Sequence, residues 1–136
     1  MATPGYVGRL NADHTFTARY VHFDATPARL IPVLGGIWHD TFGRDTATFL
    51  DVLVRHDWID LSPNTTAAGA RPFPGEQTVD GVGTAAIDPA TDPVNAPIGH
   101  LDRLDGWVLL IDPATDTVTV HHRDNGTVPA GRHRLA

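Results

Sequence analysis

The chain has 136 residues, which suits a single domain (1–136) able to bury a core without a cofactor. Its net charge of −6 argues against a non-specific nucleic-acid binder, which needs a basic face, so no nucleic acid is expected as a partner. The absence of cysteine excludes disulfides, thiolate nucleophiles and zinc–thiolate or iron–sulfur centres.

Residues 6–10 read as a short strand. Asn11, Asp13 and His14 supply turn chemistry, because Asn and Asp bond their own backbone and tolerate left-handed dihedrals. Residues 15–23 are rich in β-branched and aromatic types and read as a second strand, closing a hairpin. Alternation places Phe16, Ala18, Tyr20 and His22 on one face and Thr15, Thr17, Arg19 and Val21 on the other. The first set is the expected core face.

A helix follows. Thr26 suits its cap and Pro27 its first position, where no N–H is needed. Leu30, Leu34, Ile37 and Thr41, flanked by Ile31, Trp38 and Phe42, form a stripe at helical spacing, and Gly43 fits the left-handed position after the end. Pro32 and Gly35-Gly36 predict a kink or break, since each glycine costs about 1 kcal/mol relative to alanine. A second helix, capped by Asp45, carries Phe49, Leu50, Leu53 and Val54 on its apolar face and should end near Trp58. The short connection implies that the two helices pack as a hairpin.

Residues 60–77 hold several prolines and glycines and read as a long loop. Residues 78–86 form a weak strand interrupted by Gly81 and Gly83. Residues 107–111 and 117–122 flank Asp112-Pro113-Ala114-Thr115-Asp116 and give a hairpin. Asp124-Asn125-Gly126 signals a further turn, and Pro129 restricts a last strand to an edge. The hexapeptide Ile-Asp-Pro-Ala-Thr-Asp occurs at 87–92 and 111–116, which reads as two similar turns rather than a solenoid. The expected fold class is α+β: an antiparallel sheet from the N- and C-terminal hairpins with two helices packed on one face.

The ionic alphabet is unusual. All ten basic residues are arginine, and Glu76 is the only glutamate among sixteen acids. This is the mark of GC-rich coding and discounts arguments from the abundance of His or Asp. Six of the eight histidines have an aspartate within two positions, whereas composition alone gives about three.

His22 and Asp24, at the strand-to-helix junction, are the candidate catalytic residues. His22 would act as general base or metal ligand and Asp24 as its orienting carboxylate. The competing reading makes His22 a hydrogen-bonded, half-buried residue and Asp24 a helix cap. Gly35, Gly36, Trp38 and His39, with Tyr20, form a candidate binding set, because a helix side with little bulk lets a ligand or partner approach. His56 is accounted for by the helix dipole near a C-terminus. His100 lies in a loop able to join a site, and His121 and His122 point to opposite faces of a strand.

No metal ligand set and no cofactor is assigned. There is no zincin motif, P-loop, dinucleotide fingerprint or nucleophile elbow, and the only serine is Ser62.

The segments Gly5-Tyr6-Val7-Gly8 and Arg19-Tyr20-Val21-His22-Phe23-Asp24, and the run 30–58 with its Asp-Thr-Phe-Gly-Arg-Asp centre, carry a resemblance. The chain resembles uncharacterised small cytoplasmic proteins of GC-rich bacteria and of their phages and mobile elements. Those proteins join a Tyr-x-His-Phe-Asp junction to two helices and a Trp-initiated hairpin. The resemblance implies no activity.

The leading expectation is an acidic, soluble binding or regulatory module acting through a protein partner or self-association. The alternatives are a small His/Asp enzyme or metal-binding protein centred on His22 and Asp24, and a small-ligand binder. Whether the chain is an enzyme is left open. The N-terminus lacks a basic segment followed by an apolar run, and the apolar run 107–111 is too short to cross a bilayer. The expectation is therefore a cytoplasmic protein with no membrane contact.

Overall fold

Alternating β-branched and aromatic residues make β1 (Gly5–Leu10) and β2 (Thr15–Val21) an antiparallel hairpin, with Tyr6 opposite Tyr20. A computed structural model describes residues 3–66, 73–86, 92–125 and 128–136. The turn between these strands uses the predicted chemistry: His14 takes a φ of +64°, and Asp13 accepts the Thr15 hydroxyl at 2.5 Å.

Helix α1 (Pro27–Gly36) begins at Thr26, whose side chain makes no capping hydrogen bond. It passes at Gly36 into a π-helical turn (Ile37–Thr41). This is the predicted interruption, and it falls at the glycine pair. Helix α2 (Thr46–Leu53) is capped by Asp45, which accepts the Thr48 N–H at 3.1 Å.

The second helix was expected to reach Trp58, but it stops at Leu53, and Asp57–Leu61 is a strand, β3. Two contacts explain the early stop. The Arg19 guanidinium donates to the carbonyls of Val54 (2.7 Å) and Arg55 (2.9 Å), and the Trp58 indole N–H donates to the Leu53 carbonyl (2.9 Å). These bonds satisfy carbonyls that have no partner at a helix end.

The remaining strands are β4 (Glu76–Val79), β5 (Gly83–Ala86), β6 (Val94–Pro97), β7 (Trp107–Asp112), β8 (Thr117–His122) and β9 (Gly131–Arg134). The single weak strand expected over 78–86 is thus two strands. They turn at Gly81, whose φ of +72° is one that a side chain would strain. The long loop expected over 60–77 is shortened at both ends by β3 and β4, and its residues 67–72 lie outside the described residues. So do residues 87–91 of the first hexapeptide and Gly126 of the Asp-Asn-Gly turn, whereas Arg123–Asn125 form a short 3-10 helix.

The strands form one sheet in the order β4-β5-β3-β2-β1-β7-β8-β9, with β6 also pairing β2. The class is α+β, but the sheet is mixed rather than antiparallel. β1 runs parallel to β7 (Gly5 beside Trp107), and β2 runs parallel to β3 (Val21 beside Trp58). The predicted hairpin of β7 and β8 is present, and it meets the N-terminal hairpin in parallel because β1, not β2, is its neighbour.

The expected core face of β2 is also corrected. Phe16 and Ala18 are buried, but in the smaller of two clusters, with Val108, Leu110 and Leu101 of the 3-10 helix Ile98–Arg103. Val21, placed on the outer face by alternation, is fully buried in the larger cluster, with Val7, Leu109, Ile111, Leu34, Phe49 and Trp58. Thr17 and Arg19 are buried as well. Both faces of the central strands are covered, so alternation sorts side chains between two cores rather than between core and water.

Candidate functional site

The outer side of β2 is divided. β6 pairs residues 15–18 and β3 pairs Val21, which leaves Arg19 and Tyr20 between them. Asp57 fills the gap: its carboxylate accepts the Tyr20 backbone N–H at 3.2 Å and stands 3.6 Å from the Arg19 guanidinium. Beyond the strand, His22 and Phe23 donate their N–H groups to the carbonyls of Trp58 (2.9 Å) and Ile59 (3.0 Å). The junction backbone is therefore held by the β3 segment before Asp24 turns it with a φ of +56°.

On this support sits a row of rings. Tyr6 and Tyr20 meet edge to face at 5.9 Å, Tyr20 and His22 are tilted at 5.9 Å, and His22 and Phe23 meet edge to face at 4.5 Å. The Tyr20 hydroxyl and His22 Nδ1 are 3.0 Å apart. The phenol donates when the ring nitrogen is bare, and the ring donates when it is protonated. Tyr6, Tyr20 and His22 are half-buried, and Phe23 is 42% exposed. The Tyr6 phenol is shifted up, chiefly by burial and then by the charge of Asp105, with Tyr20 and Asp57 adding to it.

The sequence-derived candidates divide in two. Tyr20 and His22 are brought together. Asp24 is exposed, and no hydrogen bond joins it to His22 among the described residues; it does not cap the helix, which starts from Thr26. At Gly35 and Gly36 the chain itself comes close to α1. A Cβ on Gly35 would lie 2.7 Å from the Leu135 carbonyl oxygen, and one on Gly36 would lie 3.3 Å from the Pro63 ring.

Trp38 is buried and donates its indole N–H to the Thr46 hydroxyl (2.9 Å), which donates to Asp116 (2.6 Å). His39 is exposed and paired with Asp40 at 2.8 Å. Gly35, Gly36 and Trp38 thus serve internal contacts. His56 lies past the end of α2, and its pKa is shifted down by burial and then by Arg55 and Arg19, the opposite of the dipole effect expected from sequence.

Sequence reasoning missed Tyr6, Phe23 and Asp57 as neighbours of Tyr20 and His22. The hairpin register offered a signal for Tyr6, since a three-residue turn, Ala12-Asp13-His14, sets it across from Tyr20. Asp57 was hidden by the helical reading of its segment. It also missed His121, which is buried with Nε2 2.8 Å from the Thr119 hydroxyl and Nδ1 without a partner among the described residues. Burial, and then Arg132, shifts its pKa down.

At the far end of β1, a hollow of about 300 Å³ is lined by Leu10, Asn11, His14, Ile98, Asp112 and Pro113, among others. Two of its polar side chains are already engaged: Asn11 bonds Arg9, Thr15 and Thr17, and Asp112 accepts the Ala114 N–H.

No cluster of three or more metal-ligating side chains occurs among the described residues, and no helix among them is long and apolar enough to cross a membrane. Comparisons with protein-family models, with curated proteins and with solved structures found no match.

Proposed function

We propose that the chain is a small binding module that engages a protein partner through the ring row at the end of β2, with Phe23 as the anchor. One observation carries this reading: a large apolar ring is 42% exposed on a backbone fixed by hydrogen bonds to β3. Rigid aromatic anchors bind at low entropic cost, because little conformational freedom remains to be lost. His22 supports the ring from behind at 4.5 Å, and the Tyr20 hydroxyl sets the orientation of the imidazole. The left-handed Asp24 adds local strain of a kind that gathers at functional positions.

The enzyme reading has less support. His22 Nδ1 faces a phenol rather than a carboxylate, so the pair lacks the third group that would orient a general base.

The test places a photocrosslinking phenylalanine analogue at position 23 in the source cells, with position 51 on the exposed side of α2 as control. A discrete adduct at 23, absent at 51 and lost on Tyr20→Ala, is the expected result. An adduct pattern identical at the two positions refutes the proposal.

A further inference from the structure

Among the described residues, β4 and β9 are the outermost strands of the sheet, one on each side. Their chemistry is opposite. β9 carries Arg132 and Arg134, both exposed and on the same side of the strand, and they are the most closely spaced arginines in the chain. β4 starts with Glu76 and leads into Asp80. Charges on an edge strand normally prevent copies from pairing. That protection requires like charge on the two edges, and here the signs differ.

The topology makes the edges geometrically compatible. From β9 to β4 the pairings are antiparallel (β8), antiparallel (β7), parallel (β1), antiparallel (β2), parallel (β3), antiparallel (β5) and antiparallel (β4). The number of reversals is odd, so β4 and β9 run in opposite directions. A second copy set beside the first in the same orientation therefore presents β4 antiparallel to β9.

The faces also agree. Arg132 and Arg134 pair with Thr119 and Thr117, which pair with Leu110 and Asp112, and Leu110 belongs to the smaller core. Val79 packs against the larger core, so alternation turns Glu76 and Thr78 to the smaller-core side. A register with Arg134 opposite Glu76 sets Arg132 opposite Thr78 and diagonal to Glu76. Glu76 Oε1 accepts the Phe73 N–H at 3.3 Å, which leaves the other carboxylate oxygen for an arginine.

We propose that β9 of one copy adds to β4 of the next, through main-chain hydrogen bonds and pairing of Arg132 and Arg134 with Glu76. The contact is head-to-tail and does not close on itself in a pair, so it builds open-ended oligomers. Each contact spans four residues per strand, so the association is weak, concentration-dependent and reduced by salt. It is independent of the ring row, and Phe23→Ala leaves it unchanged.

Sedimentation velocity from about 10 µM to about 500 µM, at low and high salt, tests the proposal. The expected result is growth in size with concentration and no fixed stoichiometry. The double variant Arg132→Glu/Arg134→Glu lowers the association constant by about tenfold or more, and so does Glu76→Arg. Mixing these two variants restores association, because each basic edge again meets an acidic one. Glu76→Gln weakens association in the same direction and guards against a misfolded Glu76→Arg, and circular dichroism checks each variant. A monomer at the highest concentration overturns the proposal. So does a closed dimer indifferent to the arginine changes, or a variant mixture that stays monomeric.

Discussion

Replacing Gly35 with alanine tests whether the small-residue side of α1 is sealed by the chain's own C-terminal segment. The added Cβ would sit 2.7 Å from the Leu135 carbonyl oxygen. That oxygen cannot swing away: it is backbone, Leu135 is buried, and the Leu135 N–H is bonded to the Asp116 carbonyl at 3.0 Å. Overpacking of this kind costs about 1–3 kcal/mol. Glycine-to-alanine within a helix contributes about 1 kcal/mol in the other direction. The net expectation is a loss of about 0–2 kcal/mol.

Gly36→Ala has the same propensity gain, but its Cβ meets only the edge of the Pro63 ring at 3.3 Å, which needs to give by a few tenths of an ångström. It should be neutral or up to about 1 kcal/mol more stable. Urea unfolding, followed through the buried Trp38 and Trp58, measures both variants. Gly36→Ala should exceed Gly35→Ala by about 1–2 kcal/mol. Equal stabilities, or a more stable Gly35→Ala, would mean that no carbonyl closes that side.

Arg19→Met strips the donors from the carbonyls of Val54 and Arg55 and leaves Asp57 without its guanidinium. Urea unfolding should show a loss of about 3 kcal/mol, as expected when one partner of a largely buried ion pair is removed. His121 titrates below the ordinary histidine range when folded, so the unfolded chain binds the extra proton. Its contribution is complete above the unfolded pKa and is lost as pH falls from there toward the folded one, with a slope of up to about 1.4 kcal/mol per pH unit. His121→Leu should flatten that slope on the acid side of neutrality; an unchanged slope refutes the assignment. Asp45→Ala should lower the thermal midpoint at neutral pH. Hydrogen bonds from Thr48 depress the Asp45 pKa, so the difference from wild type should vanish as pH falls through that depressed value.

The hairpins β1–β2 and β7–β8 were legible because each is local: alternation, turn residues and β-branched content all agree within about twenty residues. Asp45 was legible for the same reason, since its cap lies three residues ahead. The parallel joining of Gly5 to Trp107 was not, because no local pattern specifies a partner a hundred residues away.

Trp58 was misread because Val54 and Trp58 continue a helical spacing. What ends the helix is Arg19, supplied by a distant strand. The close approach of Leu135 to Gly35 and of Pro63 to Gly36 was not legible, because both neighbours come from elsewhere in the chain. In the candidate site, Tyr20 and His22 were found from their shared face. Asp24 was assigned to His22 by a shared strand face, but β2 ends at Val21 and the left-handed φ of Asp24 itself breaks that alternation.

Strand β1 sits between β2, which follows it at once, and β7, which comes much later in the chain. On the ribosome, its flank facing β7 has no mate until about a hundred further residues have emerged. Loop closure over that span is slow, so the nascent hairpin spends the interval with a bare margin. Gly8 lets the Thr17 carbonyl occupy the place where a Cβ would stand, so bulk at that position would harm assembly from its first step.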